Sequence, residues 1–125
     1  MVILTSQEIA RYRSELADDA HALEALDMIE NCEGDMEDAA ISLALHAGQE
    51  PNTSDRWLDG FAKRCRVAIC QSNFRSQLEN GNVKEMVQYL IEQKICPRIL
   101  AAPVVIYVVK TGVDDFCNPL SYQLQ

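Results

Sequence analysis

Residues 99–109 read ILAAPVVIYVV, and how this run folds decides the fold class. It is the longest apolar stretch of the chain. Val104, Val105, Ile106, Tyr107, Val108 and Val109 are all β-branched or aromatic, which by propensity alone favours a strand. A strand needs a partner, and no second run of this character occurs among the 125 residues. A buried helix that opens at Pro103 and closes before Gly112 is therefore the reading. At 11 residues the run is too short to span a bilayer as a helix, so no membrane span is expected. Two readings stand: a small monomer leaves a run this apolar incompletely covered, which makes Val105 and Tyr107 candidates for a contact surface, or the run is the ordinary central helix of a monomer.

Upstream of that run the signals are helical. Asn82 and Glu85 stand as a cap and its reciprocal acid, and Val83, Met86, Val87, Leu90 and Ile91 follow at helical spacing until Pro97 ends the segment. Before it, Phe74 and Leu78 mark a short helix that stops at Asn80-Gly81. Trp57, Leu58, Phe61, Cys65, Ala68 and Ile69 form a full apolar stripe of one more helix, capped by Thr53 or Ser54. Downstream, the tail after Phe116, with Asn118-Pro119, is expected to be coil.

The N-terminal half has the clearest start signal. Thr5 and Glu8 have capping-box spacing, with Leu4 and Ile9 at the staple positions on either side. Ile9, Tyr12, Leu16, Ala20 and Leu23 share one helical face, and Asp18-Asp19 either breaks this helix or is passed over. Gly34 is a stop, Asp35 an N-cap, and Ala39, Ala40, Leu43 and Ala44 a small-residue face that ends at Gly48. Residues 34–43 and 81–90 share this grammar of glycine, polar cap, acidic first turn and apolar face. The glycine, polar cap and alanine-rich helix within residues 22–47 resemble the last turn and helix of ubiquitin-associated three-helix domains. The Met-Gly-Phe-type loop that such domains offer to ubiquitin has no counterpart here, so the resemblance carries no binding residues.

These segments predict an all-α fold, a compact bundle of about five to seven helices in one domain spanning residues 1–125. A possible sub-boundary lies near residues 48–54, a linker-like loop with Pro51 and Asn52. It separates an acidic half, residues 1–47, from residues 55–125. Residues 1–50 hold 12 acidic and 2 basic side chains, and residues 51–125 hold 7 and 9, which together give the net charge of −8. Such a chain repels nucleic acid at long range. Five cysteines, an odd number at irregular spacing, and an N-terminus without a basic lead or long apolar core predict reduced thiols, no signal peptide and a cytoplasmic location.

Catalytic signatures are missing. The sequence has no glycine-rich phosphate loop, nucleophile elbow or His-Glu-x-x-His. His21, His46 and Cys32 could converge as a soft metal site, but no Cys-x-x-Cys or i, i+4 histidine pair supports one. Cys65 and Cys70 would lie about 140° apart on a helix. Read as a calcium loop from Asp27, the segment has Ile29, Asn31 and Cys32 where oxygen ligands and a glycine belong. No enzyme activity, metal or cofactor is expected. The one local concentration of positive charge is Lys63, Arg64 and Arg66, with Arg56 before it and Arg75 beyond. Three readings compete: it docks on the acidic half of its own chain, meets the acidic half of a second copy, or touches phosphate. The expectation is a non-enzymatic protein-interaction or adaptor domain that self-associates. A nucleic-acid-associated regulator using the helix around residues 56–66 is the alternative, and the anionic chain disfavours it.

Overall fold

The computed structural model describes residues 2–51 and 56–123, with 119–123 given by backbone alone. Among the described residues it holds nine helices and no strand: α1 (Ser6–Glu15), α2 (Ala20–Asn31), α3 (Met36–His46), α4 (Trp57–Arg64), α5 (Arg66–Ile69), α6 (Ser72–Glu79), α7 (Lys84–Glu92), α8 (Arg98–Thr111) and α9 (Val113–Gln123). The all-α expectation holds, with more helices than the five to seven anticipated. The extra ones are short. The stripe beginning at Trp57 is cut at Cys65 into α4 and the four-residue α5. The expected caps Thr53 and Ser54 lie outside the described residues.

The decisive run is helical. Every residue from Leu100 to Val108 is buried, because α2, α3, α4 and α7 surround α8 and α9 packs on it as well. β-branched side chains pay only a small helix penalty, a few tenths of a kcal/mol each, whereas full burial of a valine or isoleucine contributes about 1.5–3 kcal/mol. Packing therefore overrides propensity. Two expectations need correction. α8 opens at Arg98, so Pro103 sits inside it, and the bond the proline cannot make is the one to the Ile99 carbonyl in the first turns. Of the run, only the end residues Ile99 and Val109 are half-buried, and Val105 and Tyr107 are core residues.

The N-terminal half is built as its signals say. Thr5 and Glu8 form the full capping box, and the staple pair Leu4 and Ile9 is buried. The chain breaks at the aspartate pair: Asp19 caps α2, its carboxylate accepting from the Ala22 amide at 3.1 Å. Ala20 and Leu23 consequently leave the α1 face, and Ala22, Ala25, Leu26 and Ile29 turn inward instead. Asp35 caps α3 after Gly34, which takes φ +86°. Gly34 donates to the Ile29 carbonyl and accepts from the Leu4 amide, while Met36 donates to the Val2 carbonyl. The N-terminal segment is thus laid across the α2–α3 turn.

The second glycine turn copies only part of this. Gly81 has φ +85°, but α7 is capped by Val83, which offers no side-chain oxygen. The expected Asn82–Glu85 box is absent. Glu15 of α1 takes its place, accepting from the Val83 amide at 2.6 Å and the Lys84 amide at 2.9 Å. Glu85 instead accepts from Gln77 Nε2 at 2.6 Å.

The C-terminus differs most from expectation. Gly112 breaks the chain at φ +114°, and Val113, Phe116 and Cys117 then bury themselves at helical spacing in α9, where coil was expected. Cys117 is disulfide-bonded to Cys70, with Cα atoms 5.7 Å apart. The expectation of five reduced thiols is corrected to three: Cys32, Cys65 and Cys96 are free. Cys65 and Cys70 are not joined to each other, and the partner of Cys70 comes from another element. A cross-link spanning 47 residues removes roughly 4 kcal/mol of unfolded-chain entropy.

One core cluster contains side chains of both charge halves, so the segment near residues 48–54 does not divide the core. No helix among the described residues is long and apolar enough to cross a membrane.

Two substitutions test these joints. A Cβ on Gly34 would collide with the Leu4 carbonyl and also sit at positive φ, so Gly34→Ala should lose more than about 2 kcal/mol in urea unfolding. Glu15→Ala should cost about 1–2 kcal/mol by uncapping α7, whereas Asn82→Ala should be near neutral in the same measurement.

Candidate functional site

The sequence-predicted cations gather at the α4–α5 junction. Lys63 Nζ is 2.8 Å from Asp59 Oδ2, and Arg56 is 3.9 Å from the same oxygen. The Arg64 guanidinium lies 5.0 Å from the Phe61 ring centroid, and Phe61 in turn stacks on Trp57. Arg66 is half-buried over the Phe116 ring, and its Nε is buried without a hydrogen-bond partner. Arg75 is 3.1 Å from Asp114. Lys63, Arg64 and Arg66 therefore face groups of their own C-terminal half. A residue that sequence reasoning did not single out stands among them. Val67 is 71% exposed, more than any other large apolar side chain described. At 100° per residue Val67 lies about 140° from the centre of the stripe formed by Trp57, Leu58, Phe61, Cys65, Ala68 and Ile69, on the face turned to solvent.

Behind the patch lies a polar network. Tyr107 donates to Asp59 Oδ1 at 2.8 Å, tying α8 to α4. Burial raises the Asp59 pKa, but the hydrogen bonds from Lys63 and Tyr107 outweigh it and hold the carboxyl below its ordinary value. The Tyr107 hydroxyl is pushed up by burial and by Asp59. Glu37 of α3 is the one buried charged residue described, accepting from the Leu58 amide at 2.8 Å and also from the Asp59 amide. It caps α4 as Glu15 caps α7. Burial dominates here and raises its pKa against those two amide bonds.

The opposite charge is displayed on α2 and α3. Glu24, Asp27, Glu30, Glu33 and Asp38 are exposed, and Arg13 pairs with two of them, Asp27 at 2.7 Å and Glu30 at 3.1 Å. Asp38 and Leu45 are seven residues apart, about 20° short of two full turns, so they share one face of α3. Leu45 is 62% exposed and Ile41 between them half-buried.

Two grooves meet near Arg98. One, of about 280 Å³, is lined by Leu16, Asp18, His21, Lys84, Ile91 and Arg98, with Lys84 3.5 Å from Asp18. The other brings His21 and His46 together with Glu24. No three His, Cys, Asp or Glu groups among the described residues are placed to hold a metal ion. Cys32, the third member weighed from sequence, lines neither groove. Burial raises the pKa of the free thiols Cys65 and Cys96, the opposite of what a nucleophile requires. No protein-family model matches the chain, and no curated protein or solved structure shows detectable similarity to it.

The network sets a pH dependence. Glu37 binds its proton more tightly folded than unfolded, so its stabilising contribution is full below its ordinary pKa of 4.5 and lost as pH rises through the higher folded value. Asp59 and Glu8, both held low, act in the opposite sense at lower pH. Between neutral pH and 4.5, thermal melts should therefore show the wild type gaining on Glu37→Gln as the solution is acidified. Parallel profiles would show that Glu37 is not the titrating group.

Proposed function

We propose that this chain is a non-enzymatic protein-interaction domain that self-associates. In this reading the cationic α4–α5 patch of one copy sits on the acidic α2–α3 face of another. The observation that carries it is Val67, the most exposed large aliphatic described, beside Lys63 and Arg64 in an otherwise anionic chain. The acidic face offers a matching aliphatic in Leu45, two turns along α3 from Asp38. Two such contacts related by a two-fold axis close into a dimer. Charge complementarity mainly accelerates and orients encounter, so the aliphatic contacts supply much of the affinity.

This surface replaces the one expected on residues 99–109. Val105 and Tyr107 are buried in α8 and are assigned no contact role. The nucleic-acid alternative is disfavoured because a chain of net charge −8 repels a polyanion at long range. A cytoplasmic protein partner, or a second copy, fits the reading better than a membrane surface does.

Sedimentation at low ionic strength should show a dimer that dissociates as salt rises past the point where the screening length falls below about 8 Å. Val67→Asp should weaken it by about tenfold, or roughly 1.4 kcal/mol, while leaving the melting temperature nearly unchanged. A wild type that stays monomeric at low salt and high concentration refutes self-association, and a salt-sensitive gel shift with DNA would favour the alternative.

A further inference from the structure

We propose that the Cys70–Cys117 bridge is a thiol-responsive latch whose reduction releases α9 from α5 and so loosens the segment that carries the Val67 patch. The regulatory part of this inference rests on the reading of that patch as an interaction surface. Three observations place the latch.

The first is how little else holds α5. It is a four-residue helix whose one buried residue is Ile69, and Cys70 is its C-cap. A helix of this length has no stability of its own, so its position depends on tertiary anchors. The bridge is a covalent anchor one residue beyond Ile69.

The second is the quality of the α5–α9 contact. Arg66 lies over the Phe116 ring, yet its Nε is buried with no hydrogen-bond partner. Buried donors are nearly always satisfied in a well-fitted contact. The ion pair between Arg75 and Asp114 reaches α9 through a side chain that is 75% exposed, and solvent screens it.

The third is the asymmetry of the two sulfurs' surroundings. Cys70 is half-buried, whereas Cys117 is fully buried. A thiolate of a dithiol reductant can therefore reach Cys70 Sγ, form the mixed disulfide there and displace Cys117 as the leaving thiolate, which takes up a proton. The reductant's second thiol then releases Cys70. Two electrons and two protons pass to the protein and the reductant leaves as a disulfide. In a reducing compartment bridges that persist structurally are rare, and those that form are characteristically transient or sensing. Cys32, Cys65 and Cys96 are not bridged, so one defined exchange is available to the native chain.

The test uses the full chain, oxidised and then treated with dithiothreitol. Thiol counting in denaturant should give three thiols oxidised and five reduced; five in the oxidised sample overturns the proposal. Amide hydrogen exchange should show protection falling in residues 66–70 and 113–118 on reduction while α2 and α8 stay protected. Unchanged protection at residues 66–70 overturns the latch. Sedimentation should show self-association weakened by about tenfold in the reduced form, since the patch loses its fixed geometry. The double variant Cys70→Ser with Cys117→Ser should behave like the reduced protein and ignore dithiothreitol. A dimer equally strong in both redox forms overturns the coupling. If the oxidised protein does not associate at all, the interaction reading fails, and exchange at residues 66–70 still decides whether the latch exists.

Discussion

The structure depends on one helix being buried on every side. Residues 100–108 of α8 have no face left for solvent, so the neighbouring helices must each supply an apolar stripe to cover it. That requirement explains why α2 and α3 bring alanines inward: Ala25, Ala39, Ala40 and Ala44 are fully buried and let backbones approach closely. It also explains why the only polar atom α8 presents among its buried residues is the Tyr107 hydroxyl at its C-terminal end, and why that hydroxyl has a carboxylate partner.

The charge asymmetry of the sequence has a structural origin in part. Four acids of the N-terminal half reach across to the C-terminal half: Glu8 to Lys110 at 2.9 Å, Asp18 to Lys84 at 3.5 Å, Glu15 to the start of α7 and Glu37 to the start of α4. Two of these satisfy helix N-termini that carry no cap of their own, where exposed amides and the helix dipole both favour a carboxylate. The N-terminal half thus provides the missing termination signals of the C-terminal half. Of the remaining acids of α2 and α3, Asp27 and Glu30 pair with Arg13 of α1, and Glu24 and Asp38 face outward.

Local grammar was legible in the sequence wherever the partner atoms lie within a few residues. Thr5 with Glu8, Asp35 after Gly34 and the stop at Gly112 all form as their spacing indicates. Features closed by distant residues were not. Asn82 looked like a cap because its true competitor, Glu15, is 68 residues from Val83. The α9 segment looked like coil because its apolar residues are few, and what holds them is a thiol 47 residues away. The irregular spacing of the cysteines gave no reason to pair those two. For the candidate surface, the cations were readable as a run, and Val67 stands outside the stripe of Trp57, Leu58, Phe61, Cys65, Ala68 and Ile69. At 100° per residue it lies about 140° from the centre of that stripe, so an unbroken helix would also turn it to solvent.

Asp59 connects these levels. One carboxylate oxygen receives the Tyr107 hydroxyl from the buried helix, and the other receives Lys63 from the surface patch. The amide of the same residue is held by Glu37 from the acidic half. A shift of α4 relative to α8 would therefore disturb the hydroxyl bond, the helix cap and the position of Lys63 together. The patch borders a rigid network on its α4 side, while on its α5 side it borders a four-residue helix fixed chiefly by Ile69 and a disulfide. The two sides of the patch thus rest on different kinds of anchor, a hydrogen-bonded carboxylate at α4 and a covalent bridge at α5.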